Sequence, residues 1–192
     1  IPFYPSDRHI QNNQAPEVSL SYADVDAIAG ARRMAEKAGL ISPELGEYLL
    51  PLAMVEGRGA GMGVRMDQSF YASRRFQAAM DKMGLEEGKD FIPTYIKGEK
   101  HYTPSDSASN PSRVATVILA EKAAVAKARG DSSIEAAIKR YNGQGRAIED
   151  IHGLPQQADV NHYWGKLQTA RQLLDHPKNT TLRDYYNLRY KQ

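Results

Sequence analysis

No cysteine occurs among the 192 residues. Disulfide scaffolds, thiol nucleophiles and cysteine-ligated metals are thereby excluded. Also missing is any run of about 20 apolar residues, the length that crosses a bilayer, and the N-terminus lacks the charged-then-apolar pattern of a signal peptide. A soluble chain without membrane insertion is expected. Its first residue is Ile1 rather than Met, which fits a leader removed either by processing or by trimming of the sequence. There is no excess of one charge either: 25 Lys and Arg face 23 Asp and Glu, a formal net charge of +2. That balance is too even for a dedicated duplex-binding protein, so nucleic acid is not an expected partner. The five histidines, His9, His101, His152, His162 and His176, show neither i, i+4 spacing nor a Glu-x-x-His pattern. Neither a metal nor any other cofactor is expected. Gly57-Arg58-Gly59, Gly61-Met62-Gly63 and Gly143-Gln144-Gly145 follow no apolar strand and precede no Lys-Ser/Thr pair, which argues against nucleotide binding.

What is present suffices for one domain. Hydrophobic residues make up 41% of the chain, somewhat below the usual ~45–50% but enough for a core. Residues 1–20, with three prolines and the polar stretch Gln11-Asn12-Asn13-Gln14, read as an extended N-terminal arm. From Ser21 the period turns helical, and the domain is expected to span 21–192. Ser21 and Asp24 form a capping box, Val25, Ile28, Ala29, Arg32 and Ala35 share a side, and Gly39 stops the run. Ser42-Pro43 opens a second helix running to Glu56, kinked at Pro51. A third helix is expected over Ser69–Met83, capped by Asp67 with Ser69, with Phe70, Phe76, Ala79, Met80 and Met83 as its apolar side. Phe91 to Tyr102 alternates weakly around Lys97-Gly98, a hairpin pattern in which Pro93 demands an edge strand.

Asn110-Pro111 opens the clearest helix, Ala-rich and apolar on more than one side, hence central and buried. A capping box of Ser132 with Glu135 starts a short helix ended by Asn142-Gly143. Asp159–Leu174 and Thr181–Tyr190 supply the last two. The fold class expected is mainly α, with at most a small β-hairpin.

Glu56 is the most informative residue, an acid closing an apolar helix just before a glycine-rich stretch. Leu49, Leu52, Ala53 and Val55 would desolvate it, and burial disfavours the charged carboxyl, the direction a general acid needs. On the helix pattern alone, a solvated residue at a helix end or a partner for Arg58 is the favoured reading. Arg140-Tyr141-Asn142-Gly143 reads either as an ordinary helix stop or as a phenol and an amide at a cleft edge, where bare backbone admits a close ligand. Tyr163 and Trp164 either pack in the core or stack on a ligand face. Arg171, Lys178, Arg183, Arg189 and Lys191 form a solvated helix face or a patch that steers an anionic partner.

Taken together, a helix ending in Glu56, a glycine-rich segment, a buried helix and then Tyr141-Asn142 resemble the lytic transglycosylases and other lysozyme-like enzymes, particularly phage-borne ones. The resemblance covers roughly residues 40–175. In that family the Glu is usually followed by Ser, whereas here Gly57 follows, and Gly61-Met62-Gly63-Val64 stands in for a Gly-Leu-Met element. The resemblance implies a lysozyme-like helical domain that cuts the β-1,4 bond between N-acetylmuramic acid and N-acetylglucosamine. Glu56 would be the acid, and Tyr141, Asn142, Gly61, Met62 and Tyr163 would bind substrate. Asp67 is the candidate second carboxylate if the reaction is hydrolytic, with Glu86, Glu87 and Asp90 further along. The implied partner is bacterial peptidoglycan, together with other proteins of a phage particle. The implied setting is a virion or infected bacterium, with action on the wall in the periplasm. Two alternatives remain at this level: a non-catalytic helical module of a phage particle, and a glycan-binding protein with a degenerate cleft.

Overall fold

The computed structural model describes residues 20–56, 66–67, 71–105, 110–142, 153–175 and 180–192, with the backbone alone at 67, 110, 153–162 and 180–181. Residues 1–19 of the expected arm, Phe70, the glycine-rich stretch 57–65 and Lys178 lie outside these residues, whereas Leu20, assigned to the arm, is buried in the core. The architecture is mainly helical with a small antiparallel sheet.

Helix α1 (Tyr22–Lys37) begins at the expected capping box: Ser21 Oγ accepts from the Asp24 amide at 3.1 Å, and Asp24 Oδ2 accepts from the Ser21 amide at 3.2 Å. Its predicted apolar side is buried throughout. The second helix differs from expectation. It divides into α2 (Pro43–Gly46) and α3 (Leu49–Glu56), with the break at Glu47–Tyr48 instead of a kink at Pro51. A proline inside a continuous helix would crowd the Glu47 carbonyl and lack a donor for it. Ending α2 early places Pro51 in the first turn of α3, where no amide donor is required.

Helix α4 (Arg74–Lys82) starts later than expected because Ser73 caps it, accepting from the Phe76 amide at 3.2 Å. Asp67 is therefore not its cap; it lies in β1 (Met66–Asp67). The hairpin of β2 (Phe91–Ile96) and β3 (Glu99–Pro104) turns through Lys97 and Gly98, with φ of 51° and 81°. Two successive positive φ values suit the right-handed twist of the strands. Strand β1 joins this hairpin in the order β1-β3-β2, pairing Met66 with Tyr102 and Asp67 with His101. Pro93 thus sits on an edge strand, as its missing donor requires.

Helix α5 (Asn110–Ala128) is the central post, buried at every position from Val114 to Ala120 and packed against α1, α4 and β3. Of its two fully buried hydroxyl residues, Ser112 and Thr116, the latter donates back to the Ser112 carbonyl at 2.7 Å. Helix α6 (Ile134–Tyr141) packs on α5 as well and is capped by Ser133 rather than by a Ser132–Glu135 box. The cause is local: Asp131 Oδ1 accepts the Ser133 amide at 3.0 Å, which leaves the Ser133 hydroxyl to accept from Ala136. Helix α7 (Gly153–Leu174) begins six residues before the expected start, and α8 (Thr180–Lys191) returns to pack on α1.

The α1–α8 seam is built on Arg32, which is only 5% exposed. Its guanidinium lies over Tyr190 at 3.8 Å and Tyr186 at 5.7 Å, pairs with Glu36 at 3.4 Å and donates to the Pro43 carbonyl at 3.2 Å. Gly46 is required beneath it, since a Cβ there would come within 2.6 Å of Arg32 Nε. Of the C-terminal basic residues, Arg171, Arg183 and Arg189 are committed to Glu47, Asp175 and Asp26 within the fold.

Candidate active site

Three helices converge on Glu56. It is the last residue of α3, Tyr141 is the last of α6, and Tyr163 lies in α7, which packs against both. The apolar residues that precede Glu56 explain its place: Leu49 to Met54 are buried and anchor α3 against the core. The half-buried carboxyl is carried to the edge of that anchor. A carboxylate at a helix C-terminus faces the negative end of the helix dipole, a poor position for an unassisted charge. The assistance comes from Tyr163, whose hydroxyl donates to Glu56 Oε1 at 2.7 Å.

Tyr141 completes the group. Burial pushes its phenol well above the ordinary tyrosine range, and the nearby charge of Glu56 pushes it further the same way. Tyr141 therefore stays protonated at neutral pH. The arrangement is a carboxyl held in place by one phenol with a second close by. A fixed carboxyl at a half-buried position is a group that proton transfer can use.

The other sequence candidates fall as follows. Asn142 caps the end of α6 beside Tyr141, with φ of −83°, so it does not adopt the left-handed conformation of a helix stop. Gly61 and Met62 lie outside the described residues. Asp67 has its backbone in β1 opposite His101, and its side chain is outside the described residues. Asp90 is a structural carboxylate, buried, accepting the Glu86 amide at 2.7 Å and facing Arg113 at 3.6 Å. Glu86 and Glu87 are exposed. Among the described residues no cluster of His, Asp and Glu is arranged to hold a metal ion, and no helix is long and apolar enough to cross a membrane.

No family model, curated protein or solved structure matches this chain.

Tyr163, expected to bind substrate, has its hydroxyl on Glu56. The sequence pattern alone did not single out Tyr48, a buried ring stacked on Trp164 at 5.7 Å and 15°. Arg171 and Gln168 donate to the Tyr48 hydroxyl at 2.8 and 3.3 Å. The available signal was Trp164, Gln168 and Arg171 at i, i+4 and i+7, a single face of α7.

Replacing Tyr163 with Phe tests the support given to Glu56. It removes the donor and keeps the ring. A hydrogen bond to a charged group contributes about 1.5–3 kcal/mol, so turnover is expected to fall by about tenfold or more, with the far-UV circular dichroism unchanged. Unaltered turnover would show that the phenol serves packing alone.

Proposed function

We propose that this protein is a peptidoglycan-cleaving glycosidase, a lytic transglycosylase or lysozyme-type muramidase, with Glu56 as its general acid. The observation that carries the reading is the Tyr163–Glu56 hydrogen bond beside Tyr141. A carboxyl held in this way, at the junction of three helices in a mainly helical fold with a small sheet, suits protonation of a glycosidic oxygen. The resemblance of the sequence to lysozyme-like enzymes supplies the substrate.

The steps follow from one carboxyl. Protonated Glu56 delivers its proton to the bridging oxygen as the C1–O bond of the muramyl residue breaks, leaving positive charge on the ring. The resulting Glu56 carboxylate then takes the proton of the muramyl 6-hydroxyl, whose oxygen closes onto C1. The product is a 1,6-anhydro end, and no water is consumed. Tyr163 holds the carboxylate in position between the two steps, with Tyr141 protonated close by. The hydrolytic alternative with inversion needs a second carboxylate about 6.5–9.5 Å from the first to activate water, and Asp67 is the residue proposed for it. The natural setting is the wall of a bacterium, reached from a phage particle or from within the infected cell.

Purified sacculi incubated with the protein, followed by mass spectrometry of the released fragments, provide the test. Anhydro-muramyl ends, lighter by one water than reducing ends, identify the transglycosylase. Reducing ends identify the muramidase. An intact wall after prolonged incubation would reject the proposal.

A further inference from the structure

Tyr48, Trp164 and Arg171 form a column along α7. Trp164 and Arg171 are two turns apart, about 10.5 Å along the helix axis. The Tyr48 ring fills that interval, with Trp164 stacked at 5.7 Å and the Arg171 guanidinium 4.6 Å from the ring centre. Tyr48 itself is fixed by two donors to its hydroxyl, from Gln168 and Arg171. One face of Trp164 is thus backed by a ring that cannot rotate away.

Tyr48, just before α3, touches Trp164, Gln168 and Arg171, whereas Glu56, at the end of α3, touches Tyr163. Progress along α3 is therefore a retreat along α7, and the two helices are antiparallel. Tyr163, the residue that holds Glu56, is the chain neighbour of Trp164. Among the described residues no second ring stacks on the indole. Trp164 is half-buried, while Tyr163, Leu167, Ala170 and Leu174 take the core side of the helix.

We propose that Trp164 is a saccharide-stacking subsite next to Glu56, the indole face away from Tyr48 receiving the apolar face of an N-acetylhexosamine ring of the glycan strand. The inference rests on the glycosidase reading and specifies a binding residue for it. A rigid aromatic surface at a fixed offset from the acid lets binding energy from a neighbouring sugar position the scissile bond. Tyr48 and Arg171 do not touch the sugar. They are positioning residues that keep the indole plane fixed.

Trp164 is the one tryptophan of the chain, so intrinsic fluorescence reports on this ring alone. In the Glu56→Gln protein, which binds without cleaving, titration with the tetramer of N-acetylglucosamine should change the emission intensity and shift it to shorter wavelength, saturating together with the heat measured by calorimetry. Trp164→Leu, which keeps an apolar side chain but no ring, should bind the tetramer about tenfold more weakly, about 1.4 kcal/mol. Trp164→Phe should fall in between. Circular dichroism and thermal unfolding establish that each variant is folded. Calorimetric binding with silent fluorescence, or undiminished binding by folded Trp164→Leu, would overturn the subsite and leave the glycosidase reading intact. So would an emission change produced by a free stem peptide and not by the tetramer, because the occupant would then be peptide. Absence of both tetramer binding and wall digestion would overturn the glycosidase reading itself, and the subsite with it.

Discussion

Glu56→Gln is expected to lose wall-degrading activity by about 10²–10⁴-fold, the usual contribution of a general acid, while the protein remains folded. Glutamine preserves the length and planarity of the side chain, and its amide oxygen still accepts the Tyr163 hydroxyl that now reaches Glu56 Oε1 at 2.7 Å. The one property removed is the transferable proton. Turbidity clearing of purified walls measures the loss, and far-UV circular dichroism with thermal unfolding establishes that structure is retained. The replacement takes away a charge at the negative end of α3, so the unfolding temperature should stay level or rise slightly. Activity within a few-fold of the parent would remove Glu56 from the chemistry altogether. Tyr163→Phe and Glu56→Gln combined should be no slower than Glu56→Gln alone, since the phenol acts through the carboxyl.

Arg32→Ala should cause the largest loss of stability. The guanidinium is enclosed by Tyr186, Tyr190, Glu36 and the Pro43 carbonyl, and it joins α1 to α2 and α8. Removing one partner of a buried ion pair costs about 3–5 kcal/mol because the other is left buried and uncompensated. The Glu36 side chain is only 11% exposed. For a chain of this length the unfolding temperature should drop by about 10 °C, measured by calorimetry. Gly46→Ala acts on the same junction from the opposite side. Its new Cβ would meet Arg32 Nε at 2.6 Å, an overpacking that costs about 1–3 kcal/mol. In the Arg32→Ala background that clash disappears, so the two effects should be strongly non-additive. Additive losses would mean that Gly46 is needed for another reason.

Much of the fold was legible because its boundaries are local. Ser21 with Asp24, Gly39, Lys97-Gly98 and the solid apolar block of α5 each act within a few residues, and each has the predicted consequence. The misreadings have local causes that pattern alone does not rank. Pro51 was assigned a kink, yet the chain avoids the clash by breaking one turn earlier. The helix expected from Asp159 starts at Gly153, and Pro155 in its first turn meets no missing hydrogen bond. Strand β1, two residues long, is too short to display a period. The candidate site divides in the same way. Glu56 stood out because an acid ends an apolar run, and Tyr141 because a helix stops there. The bond between Glu56 and Tyr163 spans 107 residues, and no window of sequence contains it. The Tyr48–Trp164 stack was hidden for the same reason.

The convergence of α3, α6 and α7 also bears on when a glycosidase of the proposed kind would become reactive. The three side chains come from distant parts of the polypeptide, and none of the helices holds the group alone. A nascent or partly collapsed chain carries an isolated acid, and on the proposed reading reactivity would switch on only when the last of these segments docks. Assembly itself would then be a safety catch, keeping an unfinished molecule harmless to the cell that makes it.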